Sequence, residues 1–142
     1  MMITELTFYS PDAYAQIAKL MGQLSQRCVF DEEKLRAVTE DANCHLYVCT
    51  DTGGEIVACA TLCVYVSPTG RKASVEDVVV SEDCRGRHIG RDLMLYVLER
   101  ARELAPIELH LTSKPVRVAA NALYMSVGFL KKETNAYQMV IE

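Results

Sequence analysis

The chain has 142 residues, six cysteines and a formal net charge of -4 at pH 7. Its length suits one domain with a hydrophobic core, so we expect a single domain over residues 1–142. The acidic balance argues against a generally basic surface, so nucleic acid is not an expected partner and any cationic site must be local.

The first half of the chain predicts one strand, two helices and three more strands. Residues 2–10 read as a strand, and Ser10 followed by Pro11 opens a helix whose apolar residues recur at helical spacing. A second amphipathic helix is expected from about Asp31 toward Asn43. The period then changes. Residues 44–50, 55–66 and 73–81 read as strands joined by short glycine-containing turns, which makes them antiparallel neighbours.

The second half predicts a helix, a strand, a helix and two short final strands. Apolar residues recur at intervals of three and four from Ile89 to about Leu104, and a later helix opens at Lys114 and Pro115 and ends at Gly128. The strands are residues 107–112, 129–132 and 137–141. The order β-α-α-β-β-β-α-β-α-β-β predicts an α/β (α+β) domain whose helices pack on a mixed, largely antiparallel sheet.

No segment predicts a membrane span, an export signal or a metal site. The longest nearly unbroken apolar run, residues 56–66, is well short of the roughly 20 residues that a spanning helix needs. The N-terminus lacks the basic start and long apolar stretch of an export signal, so we expect a cytoplasmic protein without a membrane partner. The cysteines form no C-x-x-C pair and have no matching histidine pair, so free thiols are favoured over a metal centre.

A basic, glycine-marked stretch, CRGRHIGRDLM at residues 84–94, stands between a predicted strand and a predicted helix. A helix start leaves backbone N–H groups unpaired and carries partial positive charge, which suits a phosphate. The glycines would let phosphate oxygens approach the main chain, and the arginines add charge. The usual ATP and NAD patterns are missing. The stretch therefore predicts a site for another polyphosphate ligand, with a solvated helix start as the alternative.

The same stretch resembles motif A of the GCN5-related N-acetyltransferases, [RQ]-x-x-G-x-[GA] after a strand, which binds the pyrophosphate of acetyl-coenzyme A in that family. Arg85, Ile89 and Gly90 match, and His88 stands where the family usually has a glycine. Residues 75–94 are particularly similar to glucosamine-6-phosphate N-acetyltransferases. The resemblance implies that the main chain of Val78, Val79 and Val80 pairs with the pantetheine arm. The diphosphate would be held by Arg85, Gly86, Arg87, His88, Ile89, Gly90 and Arg91.

A second segment, AANALYMSVGF at residues 119–129, resembles motif B of this family, where a helix ending in L-Y-x-x-x-G-F lies beside the thiol end of the cofactor. The asparagine often found seven residues before the tyrosine is Arg117 here. Asn121, one turn before Tyr124, could face the cofactor instead. The resemblance covers nearly the whole chain and implies an N-acetyltransferase with acetyl-coenzyme A as cosubstrate and no metal.

Acetyl transfer from a thioester to an amine needs a base for the amine, stabilisation of charge on the carbonyl oxygen, and an acid for the leaving sulfur. Glu76, just before the strand that would hold the cofactor, is the expected base. Asp77 points to the opposite face of a regular strand and could bind substrate. Tyr124 is the expected acid, since its ordinary pKa of about 10 is close to the value of about 8.5 for a thiol. Direct transfer in a ternary complex is expected.

The sequence leaves the identity of the acceptor amine open. A small amine or an amino-sugar phosphate is the first choice, and a protein lysine or N-terminal amine is a further one. A non-catalytic module that binds or senses acyl-coenzyme A is the alternative from another class, and it would leave Glu76 and Tyr124 with structural roles only. Dimers are common for the resembled fold, and an exposed edge strand near the C-terminus would be one route to a homodimer.

Overall fold

The computed structural model describes the chain from Met1 to Glu142. It divides into two compact units, Met1–Thr112 and Ser113–Glu142. The single domain expected from the sequence stays a prediction. None of the helices combines the length and apolar character needed to cross a membrane.

The first unit contains five strands and three helices in the predicted order. They are β1 (Met2–Leu6), α1 (Pro11–Leu24), α2 (Glu32–Glu40), β2 (Cys44–Thr50), β3 (Ile56–Ser67), β4 (Gly70–Val80), α3 (Ile89–Arg102) and β5 (Glu108–His110). A single 3₁₀ turn, Glu82–Cys84, follows β4. The strand β5 is shorter than the predicted residues 107–112.

Side-chain caps set the starts of the first two helices. The Ser10 hydroxyl accepts a hydrogen bond from the Ala13 N–H at 3.1 Å, and the Asp31 carboxylate accepts one from the Lys34 N–H at 2.9 Å. The helix α2 ends at Glu40, three residues before the expected Asn43. There the Asp41 carboxylate accepts from the Asn43 N–H at 2.8 Å, and such a local turn competes with continued helix.

The five strands form one mixed sheet in the order β1-β2-β3-β4-β5. The pairs from β1 to β4 are antiparallel, and β5 lies parallel to β4. The predicted α+β class with a mixed, largely antiparallel sheet is confirmed.

Helices cover both faces of this sheet. The helices α1 and α2 pack their buried residues, with Ile17 and Leu35 among the largest, on the face that carries Val48, Cys59 and Val79. The opposite face carries the residues that alternate with these, and there Tyr47 meets Tyr96 of α3 edge to face at 5.5 Å. By register this second face includes Leu62, Ala73 and Val75.

The second unit contains one helix, α4 (Val118–Ser126). It begins after a turn in which the Arg117 N–H donates to the Lys114 carbonyl at 3.0 Å, and therefore later than Pro115 suggested. The two strands predicted at residues 129–132 and 137–141 are wrong, because residues 129–142 form no strand. An alternating pattern makes a segment suitable for a strand, but pairing also needs a partner, and a lone two-stranded hairpin is marginal in water.

Candidate active site

The edge of β4 that faces β5 is unpaired over its second half. The strand β5 pairs with β4 only at Lys72, Ala73 and Ser74. From Val75 to Val80 this side of β4 has no neighbouring strand, although β3 pairs with its other side. Main-chain groups on a free strand edge can hydrogen-bond an extended ligand. Val78, Val79 and Val80, which the sequence marked as cofactor-binding, lie on this stretch.

A β-bulge interrupts β4 beside the predicted base. Thr61 of β3 pairs with Glu76, whereas Cys59 pairs with Val79, so β4 contains one extra residue at this point. Asp77 takes a positive φ of 50°. Bulges change the direction of side chains and are common next to active sites. The irregular point of the strand therefore coincides with the start of its unpaired edge.

The bulge removes the regular alternation on which the expected separation of Glu76 and Asp77 rests. Regular alternation would place the two carboxyls on opposite faces, but β4 is not regular here. Burial and then Cys44 raise the pKa of the Cys63 thiol, and the negative charges of Glu76 and Asp77 add to this shift. Partial burial, and then the charge of Glu76, raise the pKa of the Asp77 carboxyl.

Ser74 is tied to Glu76, a relation that the sequence analysis missed. The Ser74 hydroxyl donates to Oε1 of Glu76 at 2.5 Å, and Glu76 is exposed. A hydrogen bond of this kind fixes one carboxylate oxygen and leaves the other open to solvent. The spacing of two residues along a strand, which puts side chains on the same face, was the available signal.

The basic stretch after β4 leads into a helix start without a side-chain cap. His88 occupies the cap position of α3 but makes no side-chain cap hydrogen bond, whereas Ser10 and Asp31 cap α1 and α2. The first N–H groups of α3 therefore lack the partner that the other two helices supply. The side chains around this helix start are exposed, namely those of Arg85, Arg87, His88 and Arg91, while Ile89 is buried and Gly90 half-buried.

Backbone conformation shows why the family pattern usually has glycine at the position of His88. His88 has φ 62° and ψ 15°, in the left-handed region, where glycine is the usual residue. Gly86, two residues earlier, also has a positive φ of 83°. The loop thus keeps its two left-handed turns even though only one of them is made by glycine.

Replacing His88 with glycine is expected to raise the free energy of unfolding by about 1 kcal/mol, since the left-handed conformation costs other residues roughly 1–2 kcal/mol. The exposed imidazole makes no cap hydrogen bond that would be lost. The matched opposite change, Gly86→Ala, should lower stability by a similar amount because of its φ. Urea unfolding of both variants measures the two effects, and a less stable His88→Gly protein would contradict the first.

The second unit contains the predicted acid and its neighbours. Tyr124 is half-buried on α4, and its ring meets Phe129 edge to face at 6.2 Å. Burial raises the pKa of Tyr124 above its ordinary value of 10.0, and the positive charge of Arg117 partly opposes this shift. The phenol therefore stays protonated at neutral pH, as an acid must.

Asn121 is already engaged on one side. Its amide Nδ2 donates to the Lys114 carbonyl at 3.1 Å and holds the turn before α4. The groups left for a ligand are the amide oxygen, which is an acceptor, and the second N–H of the amide.

The predicted catalytic and cofactor-binding residues form two sets, one in each of the two compact units. Glu76, the three valines and residues 85–91 form one continuous path from β4 to α3, and Asn121 and Tyr124 lie within one turn of α4. The path offers unpaired main-chain groups, positive charge and a carboxylate, and the second set offers a protonated phenol. No group of three or more His, Cys, Asp or Glu side chains is arranged to hold a metal ion.

The chain is similar in sequence to one protein family and in fold to several solved structures. Residues 11–129 match the acetyltransferase (GNAT) family. A structure from Agrobacterium tumefaciens, assigned to the acetyltransferases, superposes with a TM-score of 0.85 at 23% identity and covers 99% of this chain and 100% of its own.

Two further structures are similar in fold at lower identity. An aminoglycoside acetyltransferase from an uncultured soil metagenomic sample has a TM-score of 0.85 and 17% identity, covering 99% of this chain and 96% of its own. Glucosamine-6-phosphate N-acetyltransferase from Arabidopsis thaliana has a TM-score of 0.80 and 16% identity, covering 98% and 99%.

Proposed function

Because the chain belongs to the acetyltransferase (GNAT) family, we propose that it transfers the acetyl group of acetyl-coenzyme A directly to a primary amine. The family makes it an N-acetyltransferase that uses acetyl-coenzyme A as cosubstrate. One observation carries the proposal: the unpaired edge of β4 leads through a bulge and a basic loop straight to the uncapped start of α3.

The residues of this path fit the parts of the cosubstrate. The start of α3, where no side chain caps the helix, and the exposed side chains of Arg85, Arg87 and Arg91 suit a diphosphate. The main chain of Val78, Val79 and Val80 would hydrogen-bond the amides of the pantetheine arm as an added strand does. A buried Ile89 fixes the helix start beneath the loop. The side chains of Arg85 and Arg87 above it are exposed.

The cosubstrate supplies an acetyl thioester, and residues of this chain would manage the protons and charge. Glu76, exposed and oriented by Ser74, would take a proton from the amine directly or through water. A main-chain N–H of the Val78–Val80 edge would donate to the carbonyl oxygen as negative charge develops there. Tyr124 would donate its proton to the departing sulfur. The Tyr124 phenol is protonated at neutral pH, as its role requires, because burial raises its pKa.

For the acceptor we propose a small amine, with an amino-sugar phosphate as the first choice. The similarity of residues 75–94 to glucosamine-6-phosphate N-acetyltransferases supports this choice. The fold of the Arabidopsis enzyme of that name is similar, and so is the fold of the aminoglycoside acetyltransferase. A protein lysine or N-terminal amine is the alternative acceptor. A module that binds acyl-coenzyme A without catalysis is the alternative function, in which Glu76 and Tyr124 would only be structural.

An amine panel tests the proposal. The panel contains glucosamine 6-phosphate, an aminoglycoside and a lysine peptide, each with acetyl-coenzyme A, and release of free thiol is recorded together with the mass of the product. We expect at least one small amine to accelerate thiol release and to gain one acetyl group. Tight binding of acetyl-coenzyme A with no turnover on any amine would support the binding module instead.

Three other expectations stay predictions. The cytoplasmic location and the single domain rest on the sequence alone. The homodimer gains support from the C-terminal segment, residues 129–142, in which Leu130, Tyr137, Met139, Val140 and Ile141 are 76–90% exposed. A second copy of the chain, whose β5 edge is also unpaired, would bury these side chains.

A further inference from the structure

Two thiols face each other across the neighbouring strands β2 and β3. Cys44 and Cys63 are directly opposite in the antiparallel ladder, and their sulfur atoms are 4.0 Å apart. Both residues are half-buried, and both are free thiols. A weak S–H···S contact joins them.

The hydrogen-bond pattern favours a covalent link at this position. The Val64 N–H donates to the Asn43 carbonyl at 2.8 Å, so the pair 43 and 64 is hydrogen-bonded and the next pair, 44 and 63, is not. In a non-hydrogen-bonded pair the Cα atoms are about 4.5 Å apart. This separation is within the range of roughly 4.4–6.8 Å that disulfides span. The backbone therefore needs no movement, and rotation of the two side chains is enough to bring the sulfur atoms together.

The surroundings assign different roles to the two thiols. Burial, and then Cys44 and the carboxyls of Glu76 and Asp77, raise the pKa of Cys63 to about 12. The thiolate is the reactive form of cysteine, so Cys63 is poorly suited to begin an oxidation. Cys44 is therefore the better starting point. The Cys63 sulfur is then close enough to react with an oxidised Cys44 sulfur.

We propose that Cys44 and Cys63 are a redox-active modification site, at which a small peroxide converts the two thiols into a cross-strand disulfide. The Cys44 sulfur attacks one peroxide oxygen, the O–O bond breaks, and water leaves to give a sulfenic acid. The Cys63 sulfur then attacks the Cys44 sulfur, the S–O bond breaks, and a second water leaves. Two thiols are oxidised and one peroxide is reduced to two waters. Hydrogen peroxide is small enough to reach half-buried sulfur.

The site lies beside the proposed base. Cys63 is opposite Ser74 of β4 on its other side, and Ser74 donates to Glu76. The disulfide would therefore join β2 to β3 directly opposite Ser74, the residue that orients the Glu76 carboxylate. The formation of the bond itself does not depend on the proposed function, and it can be tested without an acceptor amine.

The test treats the reduced full-length protein with hydrogen peroxide, blocks remaining thiols under denaturing conditions, and maps peptides by mass spectrometry. Trypsin is unsuitable because no lysine or arginine lies between Arg36 and Arg71, a stretch with four of the six cysteines. Cleavage after glutamate, at Glu40, Glu55 and Glu76, separates Cys44 from Cys63. We expect a linked pair of peptides, residues 41–55 and 56–76, lighter than their sum by two hydrogens.

Three variants make the result specific. The link should disappear in Cys44→Ser and in Cys63→Ser, and it should persist in Cys28→Ser, which removes an exposed thiol instead. Oxidation of the unmodified protein should also raise its Tm by roughly 10 °C, as expected for a loop of this size in a chain of this length. Absence of the link, or a link that persists without Cys44, would overturn the proposal.

Discussion

The variant Tyr124→Phe is expected to lower kcat for acetyl transfer at least about 100-fold, because a general acid contributes 10²–10⁴-fold. Phenylalanine keeps the aromatic ring and its edge-to-face contact with Phe129, so the fold of the second unit should survive. The Kd for acetyl-coenzyme A should change little, because the proposed role of the phenol is to protonate the leaving sulfur and not to hold the cosubstrate. Steady-state kinetics and calorimetric titration measure these two quantities.

The matched control is Tyr137→Phe, which removes the same hydroxyl from a side chain that is 90% exposed. This variant should keep the kcat of the unmodified protein. Because burial raises the pKa of Tyr124, its proton is retained to a pH above about 10. Loss of activity through ionisation of this phenol should therefore appear only in strongly alkaline solution. An unchanged kcat in Tyr124→Phe would remove the proposed acid.

The variant Glu76→Gln is expected to lower kcat/KM for the amine about 100-fold near neutral pH. An amide cannot take a proton from the ammonium form of the acceptor, although it can still accept the hydrogen bond from Ser74. The deficit should shrink as the pH approaches the pKa of the amine, because the free amine then needs no base. Rates measured across the pH range give this profile.

Glu55→Gln is the control for the loss of one negative charge. Glu55 is exposed in the turn between β2 and β3, so this variant should leave the profile unchanged. Asp77→Asn removes the carboxylate next to Glu76 and should affect KM for the amine more than kcat. A Glu76→Gln deficit that stays constant at every pH would indicate a structural role for Glu76 rather than proton transfer.

The family and the path from β4 to α3 could be predicted because their signals are local. Residues 75–91 are consecutive, so a strand, a basic loop and a helix start that adjoin in sequence also adjoin in the fold. The expected GNAT family and the enzyme class are confirmed. His88 illustrates the same point, since its left-handed φ shows why the family pattern has glycine there.

The bulge and the C-terminal segment could not be predicted in the same way. No glycine or proline marks Asp77, and the extra residue is apparent only from the register with β3. The register depends on which apolar side chains each face of the sheet buries, and these come from distant segments. Residues 137–141 have the alternation of a strand, but a pattern within one segment does not provide a partner strand.

The bulge also has a consequence for how firmly the proposed base is held. Before the bulge, Ala73 and Val75 are buried on the face of the sheet that α3 covers. After the bulge, Val79 is buried on the face that α1 covers. Sliding β4 by one residue would expel apolar side chains from both layers at once. Glu76 therefore lies between segments of β4 that are buried on opposite faces of the sheet. This arrangement keeps its carboxylate from shifting along the strand direction despite the irregular backbone.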